Sequence, residues 1–172
     1  MSVETTTNQL GNLKLAKIKF SGRPDTSLGS VTHHNVEQLR KLNQAIFPIN
    51  YNDKFYTGAY TSGEMCKLAY YNSVVVGAVC CRLDTHEGEK CIYIMTLGTL
   101  AAYRLCGIGK CLLDHVFKIA DKAGAKYIAL HVQTNNETAL DFYKHQGFKE
   151  SGVEKDYYRI EPSDAYYLVK QL

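Results

Sequence analysis

Two glycines, Gly107 and Gly109, stand between the apolar run Cys91–Leu100 and a stretch in which Leu112, Leu113, Val116, Phe117 and Ala120 recur at helical spacing. A strand that turns through glycines into a helix aims backbone N–H groups at one point. The helix N-terminus adds about half a positive charge there, which suits a phosphate or pyrophosphate. A P-loop is excluded, because Cys111 follows Lys110 where Ser or Thr is required. A dinucleotide fingerprint is excluded as well, because Leu112 stands where its third glycine belongs. Two glycines by themselves also describe an ordinary tight strand–helix turn.

Other residue types capable of chemistry are few. His131 lies in the apolar run Ala129–Leu130–His131–Val132. A histidine with a pKa near 6.5 can relay a proton at neutral pH, although in such a run it is more often a packed residue. Tyr93, taken alone, is a strand aromatic. Cys111 and His115 are spaced to share a helix face, but no third or fourth metal ligand is near them in sequence, and packing is the better reading. The six cysteines contain no Cys-x-x-Cys pair and follow no secretory signal, which favours free thiols in a reducing compartment.

These residues need elements to hold them. Asp25–Ser30 reads as a short strand. Thr32 is the expected N-cap of a helix in which Val36, Leu39, Leu42 and Ile46 recur, ended by Phe47–Pro48. Asn52–Tyr60 reads as a short helix closed by Gly63. Strands are expected at Met65–Tyr71 and Val74–Arg82 around the Asn72–Ser73 turn, with Asp84–Lys90 a polar turn and Cys91–Leu100 the next strand. The helix after Gly109 is closed by Gly124. Tyr127–Val132 is a buried strand, Asn135–Asn136–Glu137 opens a helix stopped by Gly147, and Phe148–Val153 and Tyr166–Val169 add strands, with Asp156–Tyr157–Tyr158 in a turn. The order βααβββαβαβ(β) predicts an α/β chain with one sheet and helices on its faces.

The length, 172 residues, fits one domain that can bury its own core. No apolar run approaches the ~18–20 residues of a membrane span. The net charge of +3 resides in residues 1–24, where Lys14, Lys17, Lys19 and Arg23 face Glu4 alone. The remainder is balanced and offers no global field to nucleic acid. Residues 1–24 show no period. They read as a flexible, solvated extension, with an added strand or an organelle presequence as the other readings, ahead of a domain at residues 25–172.

The wider pattern Arg104-x-x-Gly107-x-Gly109 resembles the acetyl-CoA pyrophosphate loop of the GCN5-related N-acetyltransferases (GNAT). Asn135–Asn136–Glu137–Thr138–Ala139–Leu140–Asp141–Phe142–Tyr143 with Gly147–Phe148 resembles that superfamily's second half. Five further segments carry the resemblance to one family. They are Phe47–Pro48–Ile49–Asn50–Tyr51–Asn52–Asp53–Lys54–Phe55–Tyr56, Gly77–Ala78–Val79–Cys80–Cys81–Arg82, Tyr93–Ile94–Met95–Thr96–Leu97–Gly98, Leu130–His131–Val132–Gln133 and Tyr157–Tyr158–Arg159–Ile160–Glu161–Pro162. They are similar to the NatE catalytic-subunit, or separation-anxiety, family. The resemblance runs from about Gly29 to the C-terminus.

The resemblance implies a GNAT fold, a single mixed twisted sheet flanked by helices, with acetyl-CoA as co-substrate and no metal. It implies Tyr93 and His131 as the catalytic pair, acting through ordered water. It places acetyl-CoA on the loop residues Arg104, Leu105, Cys106, Gly107, Ile108, Gly109 and Lys110, on the backbone near Leu97, Gly98 and Leu100, and on Asn136 and Tyr143. It assigns the peptide pocket to Phe47, Pro48, Ile49, Tyr51, Met95, Tyr157, Tyr158 and Ile160, an apolar slot suited to methionine. The chain departs from the family in two places. One residue, Arg159, separates Tyr158 from Ile160 where the family has two. In the loop, Ala102 replaces a proline, and Leu105 and Cys106 replace an arginine and a leucine, so one positive charge is lost.

The expected function is acetyl transfer from acetyl-CoA to the amino terminus of peptides that retain Met1 before an apolar residue, with lysine acetylation as a side activity. The family picture adds association with the NatA complex and through it the ribosome, a link to sister chromatid cohesion, and a place in the cytoplasm and the nucleus. It adds no membrane and no direct nucleic acid. A small-amine acetyltransferase would want an acidic pocket. A weakly active partner subunit is the alternative of a different class, and acetyl transfer by the purified chain separates it from the enzyme.

Overall fold

A computed structural model describes residues 26–86 and 88–172. The expected boundary between an extension at 1–24 and a domain at 25–172 lies outside the described residues. The chain runs β1 (Thr26–Ser30), α1 (Val36–Ile46), α2 (Asp53–Thr61), β2 (Cys66–Tyr71), β3 (Val74–His86), β4 (Glu89–Thr99), α3 (Ile108–Ala123), β5 (Tyr127–Gln133), α4 (Glu137–His145), β6 (Lys149–Glu154) and β7 (Ala165–Gln171). One mixed sheet has the order β1-β2-β3-β4-β5-β7-β6, in which only β4 and β5 are parallel.

Apolar residues on α3 and on alternate strand positions fill one face of the sheet. Leu112, Leu113 and Val116 are fully buried against Val76, Ile92 and Ile128. Truncating such a leucine to alanine costs about 2–5 kcal/mol. On the other face, Leu39 and Leu42 of α1 and Tyr56 and Ala59 of α2 pack on Leu68, Ala78 and Cys80. Adjacent Cys80 and Cys81 belong to opposite faces, as strand alternation requires.

Several strand ends shift by a residue or two from the sequence expectation, and two differences have a clear local cause. Thr32 is not the cap of α1. Val36 N reaches back to Thr32 O at 2.9 Å, and the residue before the helix is Asn35, whose Oδ1 accepts from Thr32 N at 2.7 Å while Nδ2 donates to Ser30 O. Residues 84–90 are not a polar turn throughout, because β3 and β4 remain paired out to His86↔Glu89. The polar side chains of Thr85, Glu89 and Lys90 are exposed near the end of the paired strands, with no loss of strand backbone.

Candidate functional site

The site arises where two parallel strands part. β4 and β5 pair only from Cys91↔Tyr127 to Tyr93↔Ala129. Just beyond, the β3–β4 register skips Met95, since Cys80 pairs with Thr96 and Cys81 with Ile94. A bulge bends its strand, and β4 leaves β5 at that point.

The gap forms a cleft of about 130 Å³. Phe47, Pro48, Ile49 and Tyr51 from the α1–α2 connection, Met95 from the bulge, and Tyr158 and Ile160 from the β6–β7 loop line it together with His131. Ile160 therefore reaches the wall across the single residue Arg159. Leu97, Asn136 and Tyr143 line the same cleft. Among the described residues its lining holds no Asp, Glu, Lys or Arg.

Each side chain has a local reason for its place. Phe47 closes α1, with its N–H bonded to Asn43 O at 2.8 Å, before Pro48 ends the helix. Tyr51 stacks on Phe55, 4.5 Å between ring centroids, and burial raises its pKa. Asn136 caps α4 by accepting from Ala139 N. Tyr143 is buried between Phe142 and Phe148, and that burial raises its pKa. Asp164 fastens the β6–β7 loop by accepting from Lys155 Nζ and from Asp156 N. Tyr158 N donates to Ser163 O within the same loop. Burial pushes the Tyr158 hydroxyl up to about 12.

Beyond Tyr93 the β5-facing backbone of β4 has no strand partner among the described residues. Leu100 N donates to Val76 O at 2.8 Å, and Leu100 O accepts from Tyr103 N at 2.9 Å. Leu100 was expected to offer its backbone to a ligand, but both groups are occupied. By alternation along an antiparallel ladder, Gly98 also faces β3, whereas Leu97 and Thr99 face the gap. Thr99 was not singled out from the sequence. The signal that finds it is strand parity counted from Leu100.

The Gly-rich turn has the expected form. Gly107 is in the left-handed region at φ 79° and precedes α3 with no side-chain cap, so first-turn N–H groups remain open. A Cβ on Gly109 would meet nothing nearer than Phe142 at 3.5 Å. Arg104, Leu105 and Cys106 are exposed, with Leu105 in the left-handed region, whereas the Ile108 side chain is in the core. Lys110 is held by Asp114, both contacts 2.8 Å. The free positive charge of the loop is therefore Arg104 with the helix end.

Tyr93 and His131 meet across β4 and β5. The Tyr93 hydroxyl lies 2.7 Å from His131 Nδ1 and 2.9 Å from the Tyr157 hydroxyl. The pair is expected to act on the amine through ordered water, and the two side chains are also hydrogen-bonded to each other directly. Tyr157, expected in the pocket wall, instead stacks on His131 with ring centroids 4.1 Å apart. Burial, followed by the Tyr157 hydrogen bond, raises the Tyr93 pKa above its ordinary value. Burial lowers that of His131, with Glu154 opposing and Arg82 adding to the shift. Both groups are therefore neutral near pH 7. His131 also faces a second, open trough of about 430 Å³ on the uncovered part of the sheet, lined by Tyr93, Arg82, Asp84, Glu154 and Tyr167.

Cys111 and His115 form no metal site. His115 Nε2 is 2.8 Å from Glu64 O, and among the described residues no three His, Cys, Asp or Glu cluster as ligands would. No described helix is long and apolar enough to cross a membrane.

A splayed parallel pair, open β4 backbone, an anion-binding helix end and an apolar slot can hold an acyl thioester and a peptide terminus head to head. Residues 36–148 match the model of the Acetyltransferase (GNAT) family. The chain is 54% identical over 147 residues to N-alpha-acetyltransferase 50 of Danio rerio, covering 84% of this chain and 88% of that protein. It is 51% identical over 152 residues to the probable N-acetyltransferase san of Drosophila melanogaster, covering 87% and 83%. It superposes with a TM-score of 0.80 on Arabidopsis thaliana Naa50 in complex with the bisubstrate analogue CoA-Ac-MVNAL, at 49% identity, covering 86% of this chain and 99% of the other.

Proposed function

The chain belongs to the acetyltransferase (GNAT) family, and from that premise we infer that it is an acetyl-CoA-dependent N-alpha-acetyltransferase acting on peptide amino termini. The observation that carries this reading is the cleft itself. An uncharged apolar slot and the open edge of β4 meet at His131. A small cationic amine would be drawn to an acidic pocket, and among the described residues this lining contains no carboxylate.

Acetyl-CoA supplies the acetyl thioester. The α3 N-terminus, with Gly107, Gly109 and Arg104, would hold its pyrophosphate. Leu97 and Thr99 would hold the pantetheine arm by backbone hydrogen bonds, and Asn136 and Tyr143 would flank it. In transfer, the terminal amine nitrogen forms a bond to the thioester carbon while the carbon–sulfur bond breaks. The amine proton passes to the Tyr93–His131 pair. Tyr143, lining the cleft, is the candidate donor to the leaving thiolate.

The preferred peptide begins with Met followed by an apolar residue. Phe47, Pro48, Ile49, Tyr51, Met95, Tyr158 and Ile160 would receive the first side chain. The relative's binding of an analogue that begins Met-Val supports this. Lysine acetylation is read as a side activity. The same reading includes association with a larger NatA-type complex and through it the ribosome, a role in sister chromatid cohesion, and action in the cytoplasm and nucleus. The buried free thiols of Cys66, Cys80, Cys81 and Cys91 support a reducing compartment. Acetyl transfer by the purified chain to a panel of N-terminal peptides tests the proposal. Faster acetylation of peptides that lack an initial Met would overturn the pocket assignment.

A further inference from the structure

Glu154 ends β6, a strand whose residues are all exposed, and nothing in its sequence context marks it for chemistry. The sheet nevertheless brings it to His131. β7 lies between β5 and β6, with His131↔Tyr167↔Gly152 in one row and Gln133↔Ala165↔Glu154 two rows on. Positions two apart on a strand share a face, so His131 and Glu154 project to the same side. Gly152 has no side chain to fill the space, and a Cβ there would meet nothing within 4 Å. The Glu154 carboxylate leans through that space onto His131 Nε2. Among the described residues no other polar group reaches this buried nitrogen, and the Glu154 carboxylate is the one in contact with it.

We propose that Glu154 is a positioning residue for acetyl transfer, holding the proton of neutral His131 on Nε2 so that Nδ1 is the accepting atom toward Tyr93, and stabilising the imidazolium once Nδ1 is protonated. The proposal rests on the acetyltransferase reading above. It completes a row, Tyr93–His131–Glu154, in which one end faces the reaction and the other faces solvent. A carboxylate on the far nitrogen of a catalytic histidine sets which nitrogen carries the proton and favours the charged form. In the step itself, an amine proton reaches Nδ1 through the Tyr93 hydroxyl, His131 becomes an imidazolium beside the Glu154 carboxylate, and the proton is then lost to water. Glu154 need not be protonated. The open trough lined by Tyr93, His131 and Glu154 admits that water.

The groups around His131 agree with this assignment. From β4 it faces Tyr93, from β7 Tyr167 at 4.9 Å between centroids, and from the β6–β7 loop Tyr157 and Tyr158. From β3 it faces Arg82, whose guanidinium lies 4.5 Å from the Tyr93 ring centroid and which is paired with Asp84. Glu154 is the carboxylate in contact with the ring. It raises the His131 pKa, in opposition to burial and Arg82.

Glu154→Ala and Glu154→Gln test the inference. The side chain is 57% exposed on an edge strand, and unchanged melting will show that both variants fold. The alanine variant should lose about tenfold or more in kcat with little change in peptide KM. Gln keeps an acceptor without the charge and should fall between wild type and Ala. In both, the acid limb of the kcat–pH profile should move to lower pH. A histidine ¹⁵N spectrum should show His131 protonated on Nε2 in the wild type and a mixture of tautomers in Glu154→Ala. In a His131→Ala background, Glu154→Ala should cost nothing further. Wild-type kcat and acid limb in both variants, an unchanged tautomer, or a full multiplicative loss in the double variant would each overturn the proposal. Absence of acetyl transfer by the wild type would instead remove the acetyltransferase reading, and the tautomer measurement would still decide the Glu154 contact.

Discussion

Phe47 occupies the space that a side chain on Gly98 would need. A Cβ built on Gly98 would stand 2.9 Å from Phe47 Cζ and 2.8 Å from Ile46 Cγ2. The end of α1 therefore lies directly on the β4 backbone, at the point where β4 has already left β5. This approach sets one wall of the apolar slot, and it depends on hydrogen in place of a methyl group.

Gly98→Ala is expected to push Ile46 and Phe47 outward. It would meet side-chain atoms and not backbone, the tip of the Phe47 ring and the Cγ2 branch of Ile46, so the fold survives at about 1–3 kcal/mol. The peptide KM should rise several-fold while acetyl-CoA affinity changes little. Phe47→Ala should also raise the peptide KM selectively, because it deletes wall and no cofactor contact. Steady-state kinetics with both substrates varied checks this. Parallel rises in the two KM values would mean that Phe47 serves only the core.

Gly109→Val separates ligand approach from folding. The Gly109 backbone does not require positive φ, and an added Cβ would make ordinary contact with Phe142 at 3.5 Å. Glycine is also a poor helix former, so losing it from the first turn of α3 should leave the melting temperature equal or higher. The β-branched side chain should instead crowd a pyrophosphate at the helix end. Titration calorimetry should show acetyl-CoA binding weakened about tenfold or more. Unchanged affinity in a folded variant would remove this turn from the site.

The element order was readable because apolar periodicity and glycine punctuation are local. Val36, Leu39 and Leu42 mark α1, and Gly107 and Gly124 bound α3, whatever the rest of the chain does. Thr32 misled because α1 opens without a side-chain cap: Val36 N bonds to the Thr32 carbonyl, and the Asn35 side chain is spent on Thr32 N and Ser30 O. Leu100 misled because apolar type does not reveal which side of β4 a backbone N–H faces. That parity depends on pairing with Val76. Glu154 and the stacking of Tyr157 were beyond local reading. Both depend on β7 inserting between β5 and β6, a sheet order that no spacing in the sequence encodes.

His131→Ala and Tyr93→Phe should each lower kcat by about 10²–10⁴-fold with peptide KM within about twofold. The pH dependence has a definite sign. Burial holds the folded pKa of His131 below its ordinary value, so the neutral base predominates at pH 7, and activity falls as pH drops through that lowered value. Stability follows the same direction. The unfolded chain binds the His131 proton more readily, so this contribution is complete above pH 6.5 and erodes toward the folded pKa. Below pH 6.5, His131→Ala should therefore lose less stability with falling pH than the wild type does. Denaturant titrations at pH 7 and pH 5 check this. An identical pH slope in the two proteins would mean that the His131 pKa is not lowered by folding.

Preference for the amino terminus over lysine follows from proton chemistry. A peptide α-amine has a pKa of about 7.7–8.0 and lysine about 10.4, so reaching the neutral amine at pH 7 costs about 1 kcal/mol for the first and about 4.6 kcal/mol for the second. A base whose own pKa is held below 6.5 covers the smaller gap more readily. The slot adds a second term. It places apolar walls beside the amine, where a terminal Met offers its side chain and a lysine amine at the end of four methylenes has none to offer. The kcat/KM for a Met-Leu-leading peptide should therefore exceed, by at least tenfold, that for the same peptide blocked at its terminus and carrying one lysine. The ratio should narrow as pH rises from 7 to 9, because the lysine neutral fraction keeps growing after the α-amine is already neutral. Phe47→Ala should narrow it as well, by weakening only the Met-leading peptide. If the blocked lysine peptide is the better substrate at pH 7, the slot does not receive a terminal side chain and the N-terminal assignment fails.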